Sequence, residues 1–325
     1  MTDLANRPAI SVLIEGYNDS LDLGSALETV ASLAEQTYPP KQVEIILTGN
    51  QSQAARWKEA LASEHRFFAV KVIAADAHYY RLKNLAAEAA NSDILAFTDS
   101  DALPEKGWLE AIVQGISSGA DVVAGITLYR PETGVSRFPN LLTVAASISW
   151  GFLIGQPGQP ARGFMSHNVG FRRSAFERLR YREDLGRTCA GSFLYEDLVH
   201  AGVSIRFQPH QRVRHVFTWS WWCKRLHARF GYEVFLLRRI NPSAPHAWTR
   251  HLGLLEPLAT MAWHVLLDFP QWLKFSRCLG WSWPRRVVYL PCVLLMSLGA
   301  RSAEAVAMYS TILDAERMRR FALSN

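Results

Sequence analysis

Short β-branched runs alternate with helical patterns through the first half of the chain, and this alternation restricts the fold more than any other feature. Ile10-Ser11-Val12-Leu13-Ile14 reads as a strand, Val43-Glu44-Ile45-Ile46-Leu47 as a second, Ala69-Val70-Lys71-Val72-Ile73 as a third and Ile94–Thr98 as a fourth. Between the first two, Asp19 or Ser20 can cap a helix with Leu23, Leu27, Val30 and Leu33 on its apolar face, stopped by Pro39-Pro40. Further helices are expected at about 51–63 and 78–90. Such alternation implies an α/β fold whose parallel sheet is covered on both faces, and sheets of that kind bind ligands at the carboxyl ends of their strands. With 325 residues, 49% of them apolar, the chain can bury a core of that size.

Two groups of polar residues fall at those ends. One is the Tyr17-Asn18 turn; the other is Thr98-Asp99-Ser100-Asp101. Alternate residues of an extended segment point the same way, so Asp99 and Asp101 can face one site, and hard oxygen ligands suit Mg²⁺ or Mn²⁺. Pro104 is expected to open the next helix, with Glu105 in its first turn and Trp108, Ile112 and Ile116 on one face. Asp121–Leu128 reads as a further strand. The region 130–200 is rich in Gly, Pro and Arg and is expected to face substrate, with Arg162, Arg172 and Arg173 able to pair with phosphate. Cys189, Cys223, Cys278 and Cys292 lack metal-ligand spacing, which implies free thiols and no structural zinc.

From Trp219 to Arg239 a helical stripe places Trp219, Trp222, Leu226, Phe230, Val234 and Leu237 on one face. Asn241-Pro242-Ser243-Ala244-Pro245 then breaks the chain, so the expected domains are 1–240 and a helical region 241–325. Beyond the break, Leu254–Leu267 and Val287–Leu298 are apolar but shorter than the roughly 18–20 residues that span a bilayer, the first being interrupted by Glu256, His264 and Asp268. Two readings stand: helices lying on or dipping into a membrane surface, or a helical subdomain packed on the sheet. The region holds +4 of the net +6 and five of the eleven tryptophans. Basic residues mixed with tryptophans and aliphatic runs, rather than a polar stripe, argue against nucleic acid. The N-terminus lacks an export pattern, so the expected location is cytoplasmic, at the cytoplasmic face of the inner membrane.

Several ordered motifs together resemble glycosyltransferase family 2, which has the GT-A fold, a Rossmann-like, mostly parallel sheet. Ile10–Asn18 resembles the family's opening strand and turn, Lys83-Asn84-Leu85-Ala86 its Arg-Asn-x-Gly segment, and Ala96–Trp108 its stretch around the paired aspartates. Asn168-Val169-Gly170-Phe171-Arg172-Arg173 resembles the Asn-x-x-Phe-Arg-Arg element and Tyr195-Glu196-Asp197-Leu198 the Glu-Asp motif.

The resemblance implies an inverting, metal-dependent transfer from a nucleotide-sugar donor to an acceptor hydroxyl; with the membrane reading of the C-terminal region, the expected acceptor is lipid-linked or a polysaccharide precursor. It implies Asp101 as metal ligand, Asp99 at the ribose and the ion, His215 completing the metal site, Asp197 as base and Glu196 positioning acceptor or base. By family position Tyr17 stacks on the nucleobase and Lys83 neutralises phosphate. The chain departs from the family at three places. The Asp-Asp-Gly-Ser after the second strand is here Thr48-Gly49-Asn50-Gln51-Ser52, and the first strand ends Glu15-Gly16-Tyr17-Asn18. Either Glu15 replaces the lost base acceptor or Asn50 reads a different base. Asp197 is also followed closely by Ala201-Gly202-Val203 and a strand, which shortens the acceptor side.

Two other function classes compete with transfer. One is a degenerate, non-catalytic membrane partner, which the lost aspartate keeps open. The other is a nucleotidyltransferase, disfavoured because Glu15-Gly16-Tyr17-Asn18-Asp19 is neither glycine-rich nor basic.

Overall fold

Mostly apolar runs become strands, buried on both faces in the interior of the sheet and half-buried at its β3 edge. In the computed structural model, which describes residues 7–17, 25–130, 138–185, 190–216 and 219–323, they form β1 (Ile10–Glu15), β2 (Val43–Gly49), β3 (Ala69–Ala74) and β4 (Ile94–Asp99). Asn18, the proposed caps Asp19 and Ser20, Leu23 and Cys189 lie outside the described residues. These four strands pair in parallel in the order β3-β2-β1-β4. Between them run α1 (Ala26–Ala34), α2 (Gln51–Ala60) and α3 (Tyr79–Ala89). Register puts Glu15 beside both Thr48 and Asp99, so the carboxyl ends of β1, β2 and β4 are level.

The other half of the sheet is antiparallel. It contains β5 (Ala102–Pro104), β6 (Val122–Arg130), β7 (Val169–Arg172) and β8 (Ile205–Val216), giving the full order β3-β2-β1-β4-β7-β6-β8-β5. The β4–β7, β6–β7 and β5–β8 pairs run antiparallel, so the sheet is mixed rather than mostly parallel. Pro104 closes β5 instead of opening a helix, because Ala102–Pro104 pairs with Val213–His215 and Arg214 holds Glu105 at 2.8 Å. The helix α4 starts later, at Trp108–Ser117, with Glu110 in its first turn. Two more helices, α6 (Arg173–Arg178) and α7 (Ala190–His200), complete this part.

The chain forms two compact units, the first made of residues 1–128, 155–186 and 190–216. Its core joins Val12, Ile14, Ile45 and Leu47 of the strands to Val30, Trp57, Trp108 and Ile112 of the helices. The second unit, residues 129–154, 187–189 and 217–325, is helical where described: α5 (Pro139–Trp150), α8 (Trp219–Trp221), α9 (His227–Ile240), α10 (Glu256–Cys278), α11 (Trp283–Val288), α12 (Leu290–Leu313) and α13 (Ala315–Leu323).

Two sequence expectations change in the second unit. Phe230, Val234 and Leu237 are only half-buried, while Gly231, Phe235 and Arg238 are buried. The buried face is thus displaced by one residue, because Trp222–Leu226 is a π-helical turn that inserts an extra residue into the helical count. The two short apolar runs are also longer helices than expected, 23 residues in α10 and 24 in α12. Asp268 does not interrupt α10, because Arg301 neutralises it inside the unit.

Candidate functional site

Asp99 ends β4 and is almost wholly buried, so its charge must be answered by neighbours. Helix α3 supplies them. Tyr79 and Lys83 are four residues apart and share a helical face, and both reach the carboxylate: Lys83 Nζ lies 2.5 Å from Oδ1 and the Tyr79 hydroxyl donates to Oδ2 at 2.7 Å. Burial works to raise the Asp99 pKa, but the charge of Lys83, with His167 and His215 behind it, brings it down to about 2. The group is an anion at any physiological pH.

Sheet register delivers the histidines. In the antiparallel β4–β7 pair Phe97 faces Val169, and continuing outward by two residues brings His167 toward Asp99, with Nδ1 3.9 Å from Oδ2. In the β5–β8 pair His215 faces Ala102, next to Asp101, and Nε2 lies 3.3 Å from Asp101 Oδ1. The Nδ1 of His215 donates to the Val216 carbonyl at 2.6 Å, which orients Nε2 toward the carboxylate. His167 Nε2 is tied to the Thr127 hydroxyl at 3.0 Å, and the two imidazoles stand 4.3 Å apart.

One ligand atom each from Asp99, His167 and His215 lies within 4.8 Å of the others, and all three residues are buried. Carboxylate and imidazole donors at this spacing fit a divalent ion, with Asp101 against the same His215. His167 was not singled out from the sequence. Its signal was its place immediately before the Asn168–Arg173 element.

Asn168 fixes that place. Its side-chain oxygen accepts from Trp108 Nε1 at 2.9 Å, and Gln211 Nε2 donates to its carbonyl at 3.0 Å and its side-chain oxygen at 3.2 Å. The Asp99–Ala102 turn is braced from α1, where the Thr29 hydroxyl donates to the carbonyls of Ser100 and Ala102 at 3.2 and 3.1 Å.

Around the carboxyl ends of β1 and β2, Glu15 is buried and accepts from the Tyr17 amide at 2.8 Å, which sets the turn. Tyr17 stands edge-on to Tyr79, ring centres 6.4 Å apart. Asn50 caps α2 in a reciprocal capping box with Gln53, so its side-chain oxygen is committed to the Gln53 amide at 2.9 Å. Gly16 follows β1 and Gly49 closes β2, and a side chain at either would collide with the Trp57 ring.

The Glu-Asp pair lies on α7, where Glu196 is buried and Asp197 exposed. Arg172 and Arg173 do not join the site: Arg172 pairs with Ile94 at the opposite end of β4, and Arg173 donates to the Ser92 carbonyl at 2.9 Å. Arg162 is exposed. Lys83 is engaged with Asp99 rather than standing open to phosphate.

The family model described as glycosyl transferase family 2 matches residues 11–180. A glucosyl-dolichyl phosphate glucuronosyltransferase of Haloferax volcanii is 27% identical over 164 residues, 46% of this chain and 48% of that protein. Polypeptide N-acetylgalactosaminyltransferase 12 of Mus musculus is 33% identical over 117 residues, 35% of this chain and 20% of that protein. The matched stretch therefore spans no more than about half of these relatives. Among solved structures, the mannosyltransferase PcManGT of Pyrobaculum calidifontis, in complex with GDP-Man and Mn²⁺, has a TM-score of 0.57 at 20% identity, covering 97% of this chain and 89% of that one. TarS 1-349 of S. aureus with UDP-GlcNAc has a TM-score of 0.54 at 13% identity, covering 94% and 92%. At these identities the structures share the fold.

Proposed function

This chain belongs to glycosyl transferase family 2, and from that premise we propose that it transfers a glycosyl group from a nucleotide-diphosphate sugar to an acceptor hydroxyl, inverting the anomeric carbon. The buried convergence of Asp99, His167 and His215 at the carboxyl end of β4 carries this reading. Asp99, Asp101, His167 and His215 would hold a divalent ion, and two imidazoles favour Mn²⁺ over the oxygen-preferring Mg²⁺. Such an ion supplies Lewis-acid stabilisation of the charge that gathers on the departing diphosphate.

The chain's own residues do the rest. Lys83 and Tyr79 hold Asp99 ionised and fixed in orientation. Tyr17 stacks on the nucleobase and Glu15 accepts a hydrogen bond from it, with Asn50 held at the mouth of the same strands by its capping role. Asp197, exposed on α7, takes the acceptor proton, and Glu196 orients acceptor or base. A carboxylate suffices, because the hydroxyl becomes acidic only as the new bond forms. Attack opposite the leaving group turns an α-linked donor into a β-linked product.

The nucleotide-sugar class is supported by the GDP-Man and UDP-GlcNAc complexes of the structural neighbours. A lipid-linked acceptor is favoured by the Haloferax volcanii relative, whose name carries a dolichyl phosphate.

A thermal-shift screen of nucleoside diphosphates and their sugars, with and without Mn²⁺, followed by turnover of whichever donor stabilises the protein, tests the proposal. The expected result is Mn²⁺-dependent donor cleavage that is lost in Asp101→Ala and Asp197→Asn. Donor binding without turnover in the unmodified protein would overturn the catalytic reading.

A further inference from the structure

Helices α10 and α12 are arranged the reverse of helices in a water-soluble bundle. Their buried faces carry Thr260, Asp268, Ser297, Arg301 and Glu304, while Leu258, Leu266, Leu295, Leu298, Val306 and Leu313 are exposed. A soluble helix buries its apolar stripe and wets its polar one. Here Leu266 is 65% exposed and Leu295 71%, whereas Asp268 and Glu304 are almost inaccessible. Helices α10 and α12 bury these charges beside Trp272, Phe275, Val293 and Met308 and leave a band of leucines outside.

The charges between α10 and α12 pair with one another. Arg301 donates to both oxygens of Asp268 at 2.9 and 2.6 Å, to Glu304 at 2.5 Å and to the Ile148 carbonyl at 3.0 Å. Ser297 donates to Asp268 at 2.5 Å, and His227 and His264 reach the two oxygens of Glu304 at 2.8 and 3.3 Å. Gly231 of α9 lets the Glu304 backbone approach so closely that any side chain there would collide with it. Paired interior charge and small residues at helix contacts are what helices in hydrocarbon use, since lipid offers nothing to an unpaired polar group.

Length and end groups agree. At 1.5 Å per residue, 23 and 24 residues extend roughly 35 Å, against about 30 Å of hydrocarbon. The α12 helix is long and apolar enough to cross a membrane, and only 39% of its most apolar stretch is buried within the protein. The last turns of α10 carry Lys274 and Arg277, and α11, which joins α10 to α12, carries Arg285 and a Trp283 that is 60% exposed. Basic and tryptophan side chains are complementary to anionic headgroups and the interfacial zone.

We infer that α10 and α12 form a hairpin embedded in the hydrocarbon of a phospholipid bilayer, rather than resting on its surface. This deepens the membrane part of the proposed function and is independent of the transfer chemistry. The test is fractionation of cells expressing the full chain, with the membranes washed in high salt and then in alkaline carbonate. Retention in the pellet through both washes is expected, and Leu266→Glu combined with Leu295→Glu should move most of the protein to the supernatant.

As a check that needs no variant, the protein is reconstituted into phosphatidylcholine–phosphatidylglycerol vesicles containing brominated acyl chains. Its tryptophan fluorescence should be quenched relative to unbrominated vesicles. Release of the unmodified chain by salt or carbonate, or absence of quenching, overturns embedding. Recovery without any membrane overturns the membrane reading as well. Nucleotide binding by detergent-extracted protein reports separately on the donor site, so the two failures are distinguishable.

Discussion

Lys83 Nζ and Asp99 Oδ1 meet at 2.5 Å with both side chains almost completely buried, so each charge is the other's substitute for water. Removing one partner strands the other. Lys83→Met is therefore expected to cost about 3–5 kcal/mol of stability, and Lys83→Met with Asp99→Asn to recover part of it. Urea unfolding of the two variants against the parent checks this. A single variant as stable as the parent would show that the pair is not the partner Asp99 depends on.

The histidine pair gives a second expectation. Saturating Mn²⁺ at about a hundred times its Kd should stabilise the unmodified chain by about 2.7 kcal/mol. His167→Ala and His215→Ala should each weaken binding at least about tenfold, or ~1.4 kcal/mol. Calorimetric titration of Mn²⁺ into the variants measures it, and full affinity in His167→Ala would remove that residue from the site.

Glu15→Gln keeps the size of the side chain and an acceptor for the Tyr17 amide but removes the charge. If Glu15 accepts from the nucleobase, affinity for the matching nucleoside diphosphate should fall by roughly 1.5–3 kcal/mol while the melting temperature barely moves. Equal affinities for Glu15→Gln and the parent would exclude that role.

Glu44 sets an acid limit on stability. Burial opposes its ionisation, but bonds from Lys71, Ser11 and Asn91 outweigh burial and hold its pKa below the ordinary value. A pKa lowered by folding gives stability that is complete above the unfolded carboxyl's pKa, about 4.3, and is lost as pH falls through the lower folded value. Glu44→Gln should flatten this acid limb of the stability–pH curve while lowering stability at neutral pH, measurable by denaturant midpoints across that range.

The strands of the parallel half were legible to within a residue or two because each is a short, mostly apolar and β-branched run between helical patterns. The paired aspartates were legible because they close such a run. The role of Lys83 was not, since pairing with Asp99 depends on how α3 lies across β4, a tertiary fact. Tyr79 had a local signal, standing four residues before Lys83 on one helical face. His167 had only its place beside Asn168, because what brings it to Asp99 is antiparallel register between segments seventy residues apart. The α9 face was misread by one position because periodicity arguments assume a uniform helix, and the π turn at Trp222–Leu226 is not uniform.

The clamp on Asn168 has a consequence for how the neighbouring site assembles. Trp108 and Gln211 hold that residue from α4 and β8, so the position of His167 is set by the scaffold before any ion arrives. Little ordering entropy is then left for binding itself, and affinity is governed by how readily the incoming ion sheds its hydration shell. Stripping the ion with a chelator should leave a superimposable backbone that reloads on the timescale of ligand exchange, without a refolding phase.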